Sequence, residues 1–480
     1  MNKKMILNTL GKIIWVEAAF LLLPLIVSLI YRNDCFTAFL ITIGAAAVVA
    51  LPLTFLCKTE NKVIYSKEGF VIVSLAWIVM SLIGCLPFYI SREIPSFIDA
   101  FFETVSGFST TGASILTDVE SMSEGLLFWR SFTHWIGGMG VLVFIMALSS
   151  SVSDRSIHIM RAEMPGPIVD KLVPKAKETA KILYLIYVSL TVAEIIVLVC
   201  CKMPFFEAIL HSLGTAGTGG LGIKADSIES YSPLIQWVIA VFMFLFGINF
   251  NLYYLLLLRK IKSVLKSLEL WVYIGVAVVT CIVITINISS MYETLSDSFR
   301  NAAFQVATVM STTGYSTTDF NLWPGLSKTL LLVLMFMGAC AGSTSGGFKL
   351  SRAIILVKGM RRELGRLLHP RSVKTLKHEG KRLDEMTLSS AASYLTVYAA
   401  CMLVILILLS FDKFDMEANI TATIASFNNI GPGFGAVGPA SNYSEFSGFS
   451  KLVLCAAMLL GRLEIFPLLI CFSPATWIKK

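Results

Sequence analysis

The sequence predicts an all-α polytopic membrane protein, built as four pseudo-symmetric helix, pore loop, helix repeats around one central pore and preceded by two extra transmembrane helices. Three observations carry this prediction. The 480-residue chain is 56% hydrophobic and 15% charged, with a mean hydropathy of +0.76, so it has too little polar surface to cover a water-soluble globule of its size. Ten apolar stretches are each long enough, at about 20 residues, to cross the hydrocarbon core as a helix. Beyond residue 69 one unit recurs four times: an apolar span, a short semi-apolar stretch beginning near an acidic residue, a Ser/Thr/Gly turn, and a second apolar span.

The first two spans, 13–30 and 37–56, are separated only by Tyr31, Arg32, Asn33, Asp34 and their neighbours. No small-residue cleavage site follows the first, which favours a retained helix over a removed signal peptide. Neither span carries a turn of the recurring type, so residues 1–69 are expected to form two peripheral helices. The repeats then occupy 70–160, 161–262, 263–382 and 383–480. Their paired spans lie at 70–90 and 126–149, 181–201 and 233–257, 269–290 and 327–348, and 388–410 and 449–472.

Each pair brackets a candidate re-entrant loop, near 96–118, 204–224, 297–320 and 417–440. The stretches that open these loops are too short to span a bilayer and run into polar backbone. The turns read SGFSTTGAS (106–114), SLGTAGTGGLG (212–222), MSTTGYSTTDF (310–320) and FNNIGPGFGAVG (427–438), and alignment of their glycines pairs Gly112, Gly219, Gly314 and Gly431. A self-similar period of this size marks a whole module.

Charge distribution orients the chain. With the N-terminus inside, the segments 1–12, 58–67, 151–181, 259–266, 349–382 and 479–480 hold 29 of the 39 Lys and Arg residues, the bias expected of cytoplasmic loops. Both termini are then cytoplasmic and all four loops dip in from the outside. The same rule accounts for the net charge of +8, which argues for no nucleic-acid partner. The basic stretch 349–382 suits anionic membrane lipid or an acidic partner. Of the ten cysteines, eight lie in or beside apolar segments (Cys85, Cys200, Cys201, Cys281, Cys340, Cys401, Cys455 and Cys471). Their spacing suggests neither a zinc site nor a disulfide scaffold.

Non-helical backbone at membrane depth is tolerated where it is buried in protein or lines a water-filled cavity. Four turns converging on one axis suit the second case. Rings of backbone carbonyls replace the hydration shell of a potassium ion without placing a full charge in its path, and glycine permits the backbone conformations that aim them inward. The flanking residues are mostly small or hydroxylated: Thr110 and Thr111, Gly217 and Thr218, Thr312 and Thr313, then Asn429 and Ile430.

These loops resemble the four pore loops of the Trk/Ktr/HKT potassium transporter superfamily, with one filter glycine per repeat. The neighbouring segments THWIGGMG (133–140), GACAGSTSGGFK (338–349), FNNIGPG (427–433) and GRLEIFP (461–467) extend the resemblance from about residue 70 to the end of the chain. The leading pair of spans matches the TrkH branch better than the Ktr branch. The resemblance implies potassium uptake across a bacterial inner membrane, with potassium as cargo and one pore in each subunit of a homodimer. It also implies control by a cytosolic TrkA-like nucleotide-binding regulatory subunit, for which 151–181 and 349–382 are the plausible docking surfaces. Less selective sodium/potassium translocation by the same fold is the alternative, although Gly112 follows the potassium pattern.

Two features are candidates for gating. Gly338, Gly342, Ser343, Thr344, Ser345, Gly346 and Gly347 interrupt the second span of the third repeat, where the resemblance places a flexible loop beneath the filter; close packing through the Gly338 and Gly342 pair is the competing reading. Arg462 lies about 16 Å into its span, counted at about 1.5 Å per residue, close to the bilayer centre. An arginine there is costly unless it faces the pore or a buried partner. The resemblance makes it a barrier beside the loop, and a structural ion pair is the alternative. Glu464, two residues on, points to another face.

Other signals are weaker. Gly217, Gly219 and Gly222, like Gly433, Gly435 and Gly438, match dinucleotide-motif spacing without the strand and helix context the motif needs. No GxxxxGK[ST] motif is present. His134 and His211 are expected to be hydrogen-bonded packing residues, Glu17 to snorkel from the inner end of the first span, and Glu194 to make a buried polar contact. Beyond Arg462, Glu464 and Glu194, the spans are expected to hold few ionisable groups, too few for an enzyme.

Overall fold

A computed structural model describes residues 1–57, 65–140, 176–370, 375–378 and 381–478. Helices dominate; the described strands are a two-residue antiparallel hairpin, Lys377–His378 against Lys381–Arg382. The leading helices are α1 (Lys3–Phe20), α2 (Leu22–Tyr31) and α3 (Phe36–Phe55), with α1 packed against α3 and against the first helix of the repeats.

The first repeat contains α4 (Ser66–Gly84), α5 (Leu86–Ile90), α6 (Phe97–Phe108) and α7 (Glu124–Met139). The second contains α8 (Ala176–Cys200), α9 (Phe205–Gly217), α10 (Pro233–Phe246), α11 (Phe250–Leu257) and α12 (Ile261–Leu265). The third contains α13 (Leu268–Ile288), α14 (Leu295–Met310), α15 (Gly325–Met337) and α16 (Leu350–Leu368). The fourth contains α17 (Glu385–Leu409), α18 (Met416–Phe427), α19 (Gly448–Arg462), α20 (Phe466–Phe472) and α21 (Pro474–Trp477).

Six continuous segments among the described residues are long and apolar enough to cross a membrane: Lys3–Tyr31, Phe36–Phe55, Ser66–Ile90, Glu178–Cys200, Leu268–Ile288 and Glu385–Leu409. The sequence count of ten differs because, among the described residues, the second helix of every repeat stops or turns before it is long enough to cross. Helix α7 stops at Met139, ahead of Gly140 with φ of 74°; α10 and α11 meet at 90°; α15 stops at Gly338 with φ of 63°; and α19 stops at Arg462, ahead of Glu464 and Ile465 with φ of 54° and 65°. The stretch 141–149 of the first such span, and most of the basic segment 151–181, lie outside the described residues.

The four short helices α6, α9, α14 and α18 are buried over most of their length among the longer ones. Each has an acidic residue in its first turn: Asp99, Glu207, Asp297 and Glu417. This placement favours the positive end of the helix dipole and leaves the negative ends to point inward. Three of the four are also capped by side chains, Ser96, Thr294 and Asp415 each accepting from the backbone N–H three residues on, which fixes where each helix begins.

One leading residue departs from expectation. Glu17 does not snorkel; it is 0% exposed. Helix α1 is covered by α3 and α4, and the Glu17 carboxylate faces Gly84, where α4 breaks.

Candidate ion pore

Each short helix ends in the same way. A residue with left-handed backbone follows it: Thr110, Thr218, Thr312 and Asn429, with φ of 57°, 56°, 57° and 55°. The next residue's N–H reaches back into the final turn, Thr111 to the Ser106 oxygen, Gly219 to Gly214, Thr313 to Thr308 and Ile430 to Ala425. This closure satisfies helix-end carbonyls. A left-handed β-branched residue is rare, and holding three of them costs about 1 to 3 kcal/mol each, strain that surrounding packing must over-determine.

Two residues beyond each left-handed position lies a glycine with positive φ: Gly112 (78°), Gly220 (64°), Gly314 (96°) and Gly431 (94°). The second repeat is therefore displaced by one from the sequence alignment, which paired Gly219 with the other three. Its loop offers Gly217, Gly219 and Gly220 within four positions, and only the backbone distinguishes them.

The four glycines form a closed ring. A Cβ on Gly112 would lie 1.9 Å from the Gly219 carbonyl oxygen, one on Gly220 2.0 Å from that of Thr313, one on Gly314 2.2 Å from that of Ile430, and one on Gly431 2.7 Å from that of Thr111. Each glycine thus abuts the carbonyl of the residue before the corresponding glycine of the next repeat. Thr111, Gly219, Thr313 and Ile430 are cyclic equivalents. The same glycines border one cavity of about 180 Å³, which also takes in Arg130 and Lys224.

The broken third-repeat span lies against the other end of the ring. Residues 338–349 carry no helix; Gly338, Gly342 and Gly347 have φ of 63°, 72° and 79°, while Ser343, Thr344 and Ser345 are buried. The Gly346 N–H donates to Thr312 Oγ1 at 2.7 Å, and a Cβ there would lie 2.5 Å from the Asn428 oxygen. The Phe250 N–H donates to the Gly342 oxygen and the Cys340 N–H to the Gly247 oxygen. The segment is a buried loop, and the reading of Gly338 and Gly342 as a helix-packing pair fails.

Arg462 completes this layer. It is 8% exposed, and its guanidinium donates to the Thr344 oxygen at 2.7 Å and to the Gly137 and Gly138 oxygens at 2.6 and 2.7 Å. The last two are terminal carbonyls of α7, a position that favours a cation. Glu464 instead pairs with Arg352, whose guanidinium lies 3.9 Å from the Tyr394 ring centroid. Through the loop and Arg462, all four repeats meet beneath the ring.

Several charged residues were missed by sequence reasoning. Lys349 is 0% exposed and donates to Ser345 Oγ at 3.0 Å. With Arg352 also buried, the start of the basic segment 349–382 is unavailable as a docking surface. Glu103 on α6 and Arg130, inside the span 126–149, form a buried ion pair at 2.6 Å that sequence reasoning did not single out. The available signal was an arginine six residues after Glu124, inside an apolar run, a position costly enough to demand a partner. His211 bonds Tyr231 at 3.1 Å. His134 differs from expectation: its ring nitrogens lack a hydrogen-bond partner among the described residues, and the ring is wedged behind the second loop, where a Cβ on Gly219 would lie 1.4 Å from Nδ1. Glu194 is buried, with the Thr215 side chain as the polar group beside its carboxylate. No group of three metal-ligating side chains occurs among the described residues.

The fold and this ring define a multi-pass membrane protein in which one chain supplies all four pore-loop repeats. A sequence model of the family TrkH, cation transport protein, matches residues 35–479. The Trk system potassium uptake protein TrkH of Salmonella typhimurium is 36% identical over 99% of this chain and 100% of that protein. Trk system potassium uptake protein TrkG of Escherichia coli is 32% identical over 99% of this chain and 98% of its own. The crystal structure of the potassium transporter TrkH from Vibrio parahaemolyticus superimposes with a TM-score of 0.89 at 32% identity, covering 100% of both chains. The chain belongs to the TrkH family of cation transport proteins.

Proposed function

We propose that this chain takes up potassium ions across a bacterial inner membrane, with both termini in the cytoplasm. The ion passes through a filter made by Thr110, Thr111 and Gly112; Thr218, Gly219 and Gly220; Thr312, Thr313 and Gly314; and Asn429, Ile430 and Gly431. The observation that carries the reading is the cyclic ring, in which four equivalent carbonyl-bearing segments meet at the close approach only glycine allows. Carbonyl oxygens replace the hydration shell, and the negative ends of α6, α9, α14 and α18 add a field that favours a cation. Relatives named as potassium uptake proteins over the full length of the chain supply the ion.

The loop 338–349 and Arg462 form the gate. A fixed guanidinium beneath the filter opposes a second cation, and the loop closes the route until it moves. Control comes from a cytosolic TrkA-like nucleotide-binding subunit, docking on the basic segment 151–181 and the exposed part of 349–382, and two chains assemble as a dimer with one pore each. Growth of a potassium-uptake-deficient bacterium on limiting potassium, with rubidium uptake measured in parallel, tests the reading. Rescue and rubidium entry are expected. Well-expressed protein that does neither with the regulatory subunit supplied overturns it, and equal sodium entry favours the less selective alternative.

A further inference from the structure

We propose that the buried Glu103 and Arg130 pair is a positioning clamp across the seam between the first and second filter segments and that it sets the preference for potassium over sodium, an inference that rests on the potassium-pore reading. Glu103 lies nine residues before Gly112 on α6, and Arg130 is the seventh residue of α7. The guanidinium uses three of its edges. Nε donates to Glu103 Oε1 at 2.6 Å, Nη2 to Ser114 Oγ at 3.0 Å, and Nη1 to the Gly222 oxygen at 2.6 Å. Ser114 and Gly222 stand two residues beyond Gly112 and Gly220, so one side chain ties equivalent points of adjacent filter segments. Glu103 holds the same corner from the other side, accepting from Ser114 Oγ at 3.0 and 3.1 Å and from the Ile115 N–H at 3.0 Å.

The fold itself does not require this pair. At the positions equivalent to Glu103 the other repeats carry His211, Gln305 and Ala422, and at those equivalent to Arg130 they carry Ile239, Leu331 and Leu454, all buried. Replacing a buried ion pair by packed apolar groups is often neutral or favourable to stability, so three repeats dispense with the charges and one keeps them. What the charges supply is directional: a planar donor with several fixed N–H vectors holds its acceptors at set positions. Beside the ring the other seams are tied by backbone and neutral side-chain bonds: Ile228 N–H to the Ser316 oxygen between repeats two and three, Gly435 N–H to Asn321 Oδ1 between three and four, and Tyr443 N–H to the Ser114 oxygen between four and one; the ion pair that also joins four and one, Lys451 to Asp99 at 2.6 Å, sits at the opposite, N-terminal end of α6. At the one-to-two seam the tie runs through the ion pair. A ring that cannot contract onto a smaller ion rejects sodium, and loosening one seam weakens that rejection.

The test is the sodium-to-potassium permeability ratio of purified protein in vesicles, read from reversal potentials under bi-ionic conditions. Glu103→Gln and Arg130→Gln are each expected to raise the ratio by about tenfold, equivalent to about 1.4 kcal/mol of lost discrimination, and Ser114→Ala is expected to raise it by less. If the pair only set the charge at the pore mouth, the two Gln variants would shift conductance in opposite directions at constant ratio, and that result overturns the proposal. Should the Gln variants fail to give monodisperse protein, Ser114→Ala and Arg130→Lys decide, since lysine keeps the charge but loses the planar fork; an unchanged ratio in both overturns the clamp. Wild-type vesicles that pass no potassium would instead refute the pore reading.

Discussion

A single methyl group probes the ring. On Gly220 it would meet the Thr313 carbonyl oxygen, part of the rigid ring, whereas on Gly219 it would meet the imidazole of His134, a side chain that can be removed. Gly219→Ala is therefore expected to depress rubidium uptake and to recover when combined with His134→Ala. Gly220→Ala should stay inactive in the same background, because its methyl opposes backbone and its φ of 64° is strained for any L side chain. Recovery of both, or of neither, would remove the distinction between the two positions. The contrast also marks how far the residues were legible. In the first and third loops a lone glycine follows Thr110 and Thr111 or Thr312 and Thr313, and in the fourth Pro432 sets Gly431 apart from Gly433, so the sequence points to one position. In the second loop three glycines satisfy the same composition, and the register depends on where α9 ends, which is set by packing against α7 and α8.

At the scale of elements, the four second helices all stop short, and only the third of these stops was singled out by sequence reasoning. The third carries glycines and hydroxyl residues in succession, which weaken a helix by backbone freedom and local competition. The fourth breaks at Glu464 and Ile465, just before Pro467, which has no N–H for the Leu463 carbonyl and starts the next helix instead; the Glu464 bond to Arg352 on α16 and the burial of Ile465 accompany the turn. That break also aims Arg462 at the end of α7. Arg462→Gln is expected to raise basal rubidium leak several-fold, since the amide keeps a donor for the carbonyls but removes the cation. Unchanged leak at equal expression would make the arginine a helix cap only. Gly346→Ala tests the loop separately. Its methyl would lie 2.5 Å from the Asn428 oxygen and 2.8 Å from Asn429 Cβ, pushing the loop off the filter and off the Thr312 hydroxyl. Raised basal flux with weaker response to the regulatory subunit is expected, and a silent pore would mean that the loop supports the filter instead of closing it.

For the whole molecule, the central consequence of the ring is that every contact closing it lies within one chain: Gly112 to the second repeat, Gly220 to the third, Gly314 to the fourth and Gly431 back to the first. A pore of this kind is complete in a single subunit whatever the oligomer, and the repeats are free to diverge, as the ion pair in the first and the Asn429, Ile430 and Pro432 sequence in the fourth illustrate. Divergence of this sort is closed to a symmetric tetramer, where any substitution appears four times. The expectation is quantitative. When wild-type chains are co-expressed with Gly314→Ala chains, whose methyl would lie 2.2 Å from the Ile430 oxygen, rubidium uptake should fall in direct proportion to the fraction of variant chains. A pore shared between subunits would lose activity far more steeply, because one defective segment would disable the whole ring. A steep, non-linear loss would therefore overturn the single-chain pore even if each subunit has the fold described above.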